Sequence, residues 1–380
     1  MRKDKAVPTA LHPGILGCML GNAIGDAFGG AVEFKSAQRI RELTGGTWVD
    51  QFLPYPEDHG THPLGIWVAA APRGTGTDDT RNNHCLVDCV LRNGGFVNSQ
   101  LLAMEYIARY RDRAALRPEY QDLAEGHYRW GFQRACVYLG MADFPPGVAS
   151  NAVHAHANAF PTLMGLISLA FSGLLSAGDP EKAYLKAIEL DFQDVGYALD
   201  ATAMMAAMVS AALGGGVSGR ELVQIGLETD PLHFGRAGMK GRFMAERVAD
   251  LLRIADTAAS EQSLVDELAR AVGPLHPYDP IDVLGVPMAA IHYTDGDPVR
   301  SIVISANDRD LDEHGDFSRL RDVDCTAGVA GAIVGALHGA GAFPSDWVAD
   351  TLAANIQVYN IDIEANAARF CEAVYGDRAS

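Results

Sequence analysis

Lysine is scarce in this chain: there are six in 380 residues, and the last is Lys240. The excess charge is acidic, with 48 Asp and Glu against 30 Lys and Arg and a formal net charge of −18. Nucleic-acid phosphates are held by basic surfaces, so this balance argues against nucleic acid as a partner. Cysteine is sparse as well. Positions 18, 85, 89, 136, 325 and 371 make no Cys-x-x-Cys pair and no dense framework. That usage fits a reducing, cytoplasmic compartment better than a disulfide scaffold. Long apolar runs are also missing. Gly, Ser, Asp or His interrupts every apolar stretch well short of the ~20 residues of a bilayer span, so no membrane partner is expected. No apolar segment of signal-peptide type precedes Pro13. No Pro-rich, Ser/Gly-rich or low-complexity run separates the halves, so residues 1–380 are read as one large domain with a flexible arm at 1–12. Nor do alternating β-branched runs with hairpin turns recur. These exclusions leave an all-α protein built as a single multi-helix domain.

Small residues and two acidic clusters are what the chain does have. Pro13 suits a first helical turn. Residues 14–32 read GILGCMLGNAIGDAFGGAV, with Gly17, Gly21, Gly25 and Gly29 spaced four apart. That spacing gives a smooth helix face for close backbone packing. Asn22 and Asp26 are also four apart and share a face. Such a polar stripe is either a set of satisfied buried groups or the wall of a site. Glu33 ends the run, and residues 36–73 read as turn-rich and irregular, with Pro54, Pro56, Pro63 and Pro72. The segment Gly74-Thr75-Gly76-Thr77-Asp78-Asp79-Thr80 then gathers two carboxylates and three hydroxyls. These are hard oxygen ligands of the kind Mg²⁺, Mn²⁺ or Ca²⁺ prefer. The plainer reading is that Asp79 or Thr80 caps the helix running through Cys85 and Cys89 to Gly94-Gly95.

Two helices are expected over 98–140, on either side of a charged stretch at 109–122. His154-Ala-His156 would put two imidazoles on one face of a strand. No third nitrogen or sulfur ligand lies nearby, so they are read as loop or core histidines. An apolar helix is expected over 162–175, and helical patterns follow at 180–190, 195–213, 218–228, 238–256 and 261–272. Met204, Met205 and Met208 read as core packing. Residues 275–288 read as a Pro-rich loop, 289–305 as a short helix pair and 307–321 as a polar surface loop. Arg321-Asp322-Val323-Asp324-Cys325-Thr326 repeats the carboxylate–hydroxyl theme just before a second small-residue helix at 327–340. Helices at 345–356 and 361–375 close the chain.

Three of these features, in this order, resemble the ADP-ribosylglycohydrolase family of the DraG or crystallin J1 type. They are the first helix with Asn22 and Asp26 followed by Glu33-Phe34, the Thr77-Asp78-Asp79-Thr80 cluster, and Asp322-Val323-Asp324 ahead of an Ala/Gly helix. The resemblance spans the full chain. It implies an all-α fold with two divalent ions, usually Mg²⁺, held between the clusters. Thr77, Asp78 and Asp79 would ligate from one side, and Asp322, Asp324 and Cys325 or Thr326 from the other. It also implies hydrolysis at the anomeric carbon of an ADP-ribosyl or related ribosyl group, on a protein or a small molecule. The chemistry is coherent. A ribose cis-diol can chelate hard cations, a cation lowers the pKa of water, and a nearby carboxylate can take the water's proton. An oxygen-rich acidic site also suits an oxocarbenium-like transition state. Asp79, Asp324 and Glu33 are the acid–base candidates, and Asn22, Asp26 and Asn158 the candidate substrate contacts.

This chain departs from the family pattern at three places. Cys325 stands where many members carry Thr or Ser, and a thiol is a poor partner for Mg²⁺. The polar stretch 307–321 is longer than the usual lead-in. The segment around Asn158-Ala-Phe-Pro lacks the Asn-Gly and Met-Arg pattern. These differences bear on the substrate more than on the reaction, and a small ribosylated metabolite or nucleoside-like N-glycoside is the alternative. Asp322-x-Asp324-x-Thr326 also matches the aspartyl-nucleophile motif of haloacid-dehalogenase-type phosphatases. Here, however, polar residues precede it and no lysine follows. A non-catalytic binding or structural protein on the same fold is the remaining reading. The presence of Asp26, Asp78, Asp79, Asp322 and Asp324 together weighs against it.

Overall fold

A computed structural model describes residues 11–56, 71–112, 123–140, 161–234 and 242–376. The first helix, α1 (His12–Gly30), opens with Pro13 in its first turn, and α2 (Ala37–Thr44) is capped by the Ser36 side chain. Next come α3 (Asp78–Arg92), α4 (Ser99–Arg111), α5 (Leu123–Tyr138) and the short α6 (Met164–Ser168). The middle of the chain forms α7 (Pro180–Leu190), α8 (Tyr197–Gly214), α9 (Gly219–Glu228), α10 (Phe243–Thr257) and α11 (Glu261–Val272). After α12 (Pro280–Thr294) and α13 (Pro298–Ser305), a hairpin of β1 (Arg309–Leu311) and β2 (Phe317–Leu320) leads into α14 (Val323–His338). The last two helices are α15 (Ser345–Tyr359) and α16 (Ile363–Tyr375). The fold is all-α. That antiparallel hairpin is the only sheet among the described residues.

The centre of the fold is set by the small-residue stripes of α1 and α14. A Cβ placed on Gly17, Gly21 or Gly25 would lie 2.1, 2.1 or 1.9 Å from the carbonyl oxygen of Gly335, Gly331 or Ala327. The partner numbers fall as the α1 numbers rise, so the helices run antiparallel with their backbones in contact. Any side chain at these positions would force them apart. The register ends where Gly29 meets the backbone of Val323 and Asp324. The start of α14, with its acidic cluster, is thereby fixed beside the end of α1. Helices α8, α12 and α13 pack on α14, and α15 and α16 pack on α1. Met204, Met205 and Met208 are buried in the core. Among the described residues α8 is the one helix long and apolar enough to cross a membrane, and 78% of it is buried inside the fold.

Several local expectations are corrected. The stretch expected as one helix over 162–175 breaks at Leu169 into α6 and a 3₁₀ segment, Ala170–Ser176. At the break the Asn83 side chain accepts a hydrogen bond from the Ala170 amide (2.9 Å). The stretch expected as a Pro-rich loop over 275–288 instead starts α12. Asp279 caps it, Pro280 occupies its first turn, and the helix continues through Pro287. The expected polar surface loop forms the hairpin, and Arg309, Leu320 and Arg321 are buried there. Its tip, residues 312–316, is exposed as expected, while Arg321 at its end pairs inward with Asp282. Likewise α2 interrupts the irregular 36–73 stretch. Asn158, His154 and His156 lie outside the described residues.

Candidate active site

Asp26, deep in α1, orients the first cluster. Its carboxylate accepts hydrogen bonds from the Thr77 amide (2.9 Å), the Thr80 amide (2.9 Å) and the Thr80 hydroxyl (2.5 Å). These are the groups an α-helix leaves unpaired at its start, so Asp26 fastens the beginning of α3 to α1. Thr77 is the N-cap, accepting from the Asp79 amide (3.4 Å), in place of the expected Asp79 or Thr80. The loop before it is clamped from outside. Tyr55 donates to the Thr75 carbonyl (2.8 Å) and Tyr359 to the Gly76 carbonyl (2.6 Å). Gly74 has φ +87°, and a Cβ there would lie 2.6 Å from the backbone of Asp350, so only glycine fits. Asn22 donates to the Gly328 carbonyl (3.2 Å) and accepts from the Asn83 side chain (3.2 Å), tying α1 to α14 and α3. Asn22 and Asp26 therefore brace the site from behind. As candidate substrate contacts they are corrected, because their polar atoms are spent on neighbouring helices and neither lines the cavity.

Five carboxylates and a thiol meet in front of this brace. Asp78 and Asp79 come from the first turn of α3, Asp322, Asp324 and Cys325 from the start of α14, and Glu33 from the turn after α1. The positive ends of two helix dipoles thus face the cluster, which favours carboxylates there. One ligand atom from each of Asp79, Asp324 and Cys325 lies within 4.8 Å of the others, and the same holds for Glu33, Asp322 and Asp324. Thr77 donates its hydroxyl to Asp324 Oδ2 (3.2 Å), and the Cys325 thiol donates to Asp79 Oδ2 (3.5 Å). Capping and clustering are therefore compatible roles for Thr77. Asp322 Oδ2 is buried without a hydrogen-bond partner. Thr326 is not brought to the cluster. One residue along an α-helix turns the side chain by about 100°, so its hydroxyl points at α13 and donates to the Ser305 carbonyl (2.9 Å). Cys325 is the residue that faces Asp79.

Burial and mutual repulsion distort the acidity of these groups. Burial, then the charges of Asp324 and Asp322, holds the Glu33 carboxyl well above the usual carboxylate range. Asp79 and Asp324 are raised in the same way. Burial with Asp324 alongside pushes Asp78 up to about 7, and burial pushes Asp322 up to about 7. Buried like charges at such distances need protons or cations between them.

The cluster forms one wall of a cavity of about 310 Å³. Much of the remaining lining is apolar: Leu163, Met164 and Ile167, with Thr162 next in the chain. Trp130 and Arg134 of α5 and Tyr278 complete the lining. Phe34, held at φ +55° at the α1 exit, meets the Tyr278 ring edge to face at 5.8 Å. Sequence reasoning missed Trp130, Arg134, Thr162 and Tyr278. The one available signal was the four-residue spacing of Trp130 and Arg134, which puts them on one helix face.

The family model for ADP-ribosylglycohydrolases matches residues 8–379. The chain belongs to the ADP-ribosylglycohydrolase family. Over 88 residues it is 33% identical to the uncharacterized protein YegU of Escherichia coli (strain K12), taking in 23% of this chain and 24% of that protein. The match thus spans about a quarter of this curated relative. A solved structure described as an ADP-ribosylglycohydrolase-related protein complex aligns with a TM-score of 0.57 at 21% identity, covering 96% of this chain and 98% of that one. The fold is shared across the whole domain. The acidic clusters have the donors to hold metal.

Proposed function

We propose that this chain is a divalent-cation-dependent hydrolase of a ribosyl glycosidic bond, acting on an ADP-ribosyl group carried by a protein or a small molecule. The observation that carries this reading is the convergence of Glu33, Asp78, Asp79, Asp322 and Asp324 from three separate elements on one cavity. Their donor chemistry fits a hard cation such as Mg²⁺, and the partnerless Asp322 Oδ2 is an atom such an ion would satisfy. Asp324 belongs to both ligand groups, so ions beside Asp79 and beside Glu33 and Asp322 would both draw on it, and the Cys325 thiol would contribute little to a hard cation. Asp78 lines the same cavity, and the Thr77 hydroxyl donates to Asp324. Bound cations supply Lewis acidity toward water and substrate hydroxyls.

The chain's own residues supply the rest. Asp79 and Asp324 lie at helix N-termini, where a carboxylate is best kept ionised. They serve as ligands first. Glu33, on the turn beyond α1, belongs to no such terminus, and burial holds its carboxyl above the usual range, the direction a proton donor needs. The apolar side chains of Leu163, Met164 and Ile167 help to exclude water from the cavity. The test is release of ADP-ribose from an ADP-ribosylated peptide and an ADP-ribosylated small molecule, with Mg²⁺ and with chelator. Asp322→Asn and Asp324→Asn are expected to abolish both release and cation binding while keeping the helical content. Full turnover in chelator, or in both variants, overturns the reading.

A further inference from the structure

Among the described residues that line the cavity, Arg134 is the one cationic side chain, alongside five carboxylates. It is 3% exposed, yet it donates no hydrogen bond among the described residues, and its Nε is buried without a partner. That is unusual for a guanidinium, which carries five donors. Its nearest carboxylate oxygen is Asp194 Oδ1, 3.8 Å from Nη1. Two other buried arginines close that gap, while Arg309 stays 4.0 Å from Asp266. Arg242 reaches Asp200 at 2.6 Å, and Arg321 reaches Asp282 at 2.6 Å.

The reason Arg134 stands off is visible. Asp194 Oδ1 already accepts from the Thr162 hydroxyl (2.5 Å) and the Thr162 amide (3.2 Å), and Oδ2 accepts from the Gly165 amide (2.7 Å). Asp194 is committed to shaping the cavity wall, and it leaves the arginine as a neutralised but unbonded cation. The placement of Arg134 is also rigid. Gly131 lets the Tyr106 ring lie against the α5 backbone, where a Cβ would meet ring carbons at 2.3 Å. Leu163, Met164 and Ile167 beside it lower the local dielectric, so an anion arriving there would be held strongly.

We propose that Arg134 is an anion subsite that takes a phosphate ester of the substrate while the acidic wall takes its ribosyl end. This inference rests on the ribosyl reading given above. The two walls then select a molecule with a diol at one end and a phosphate at the other, and neutral ribosides are disfavoured. The planar fork of arginine suits phosphate oxygens.

Calorimetric titration of the full chain tests this, with ribose, ribose 5-phosphate and ADP-ribose in Mg²⁺, and with pyrophosphate in chelator. Wild type is expected to prefer ribose 5-phosphate over ribose by at least about tenfold, the effect of one charge-assisted contact. Arg134→Gln is expected to lose that preference with ribose affinity unchanged, and Arg134→Lys to restore part of it. ADP-ribose set against ribose 5-phosphate tells whether a pyrophosphate or a monoester fits better. Cation-dependent binding of ribose with no preference for its phosphate, or a preference that survives in Arg134→Gln, overturns the subsite and leaves the ribosyl reading standing. Arg134-dependent pyrophosphate binding with no gain from a ribosyl unit supports the subsite and overturns the ribosyl reading. Absence of all binding overturns both.

Discussion

Arg321 and Arg134 are both buried, and the protein treats them in opposite ways. Arg321 lies among Asp282 (2.6 Å), Asp308 (3.7 Å) and Asp310, and it also donates to the Leu275 carbonyl (3.0 Å). It welds the hairpin to α12 immediately before Asp322. Arg134 has one carboxylate at 3.8 Å and no hydrogen bond among the described residues. The same contrast divides the acids. Asp26 is saturated by Thr77 and Thr80, whereas Asp322 keeps an oxygen with no partner. Saturated buried charges hold the fold together. Asp322 and Arg134, which keep unpartnered atoms, line the cavity, where that capacity is open to a ligand.

Breaking the saturated members should cost most. Arg321→Met strands two buried carboxylates, and a loss of about 3–5 kcal/mol is expected in chemical denaturation. A loss below about 1 kcal/mol would show that the network is no structural weld. Asp26→Ala leaves two amides and a hydroxyl at the start of α3 without acceptors. A loss of about 2–4 kcal/mol is expected, with cation binding weakened because the Thr77–Asp79 turn is no longer fixed. Unaltered calorimetric cation binding in that variant would contradict the bracing role.

Asp322→Asn sharpens the comparison from the other side. Cation affinity should fall by more than about tenfold, while the cation-free protein is no less stable. The pH dependence follows from the raised carboxyl. Its protonated form is favoured in the folded state, so the associated stability is complete below the unfolded value of about 3.9 and is lost as pH rises through about 7. Thermal unfolding in chelator should therefore show Asp322→Asn gaining on wild type between about pH 4 and about pH 7. A variant that falls further behind as pH rises would refute this. The smallest effect is expected for Arg134→Met. No hydrogen bond is lost but Asp194 loses its nearest cation at 3.8 Å, so the loss should stay below that of Arg321→Met, at about 1–2 kcal/mol. A loss matching that of Arg321→Met would place Arg134 with the structural arginines.

How much was legible follows from how local each signal is. The glycine stripe of α1, the Thr77–Thr80 cap and the Asp322–Asp324 pair are short motifs whose spacing reports a helix face or a helix start. The polar stripe of Asn22 and Asp26 was readable only as two alternatives, because satisfaction depends on Thr80, Asn83 and Gly328 from other helices. The hairpin was misread because Arg309 and Arg321 look like surface residues until their partners are known. Residues 280–288 were misread because proline was taken as a breaker, although Asp279-Pro280 is a cap followed by a first-turn proline. Trp130, Arg134 and Tyr278 carried no motif at all.

By itself the sequence determined the helical class, the two acidic clusters and their preference for hard cations, since periodicity, capping and donor type act within a few residues. Tertiary structure decided which donors meet. The antiparallel register of α1 and α14 brings Cys325 to Asp79, 246 residues away, and turns Thr326 aside. It also decided which charges are left unsatisfied. Solvation and hydrogen bonding of a buried group are set by every element that packs around it, and no single segment contains that information.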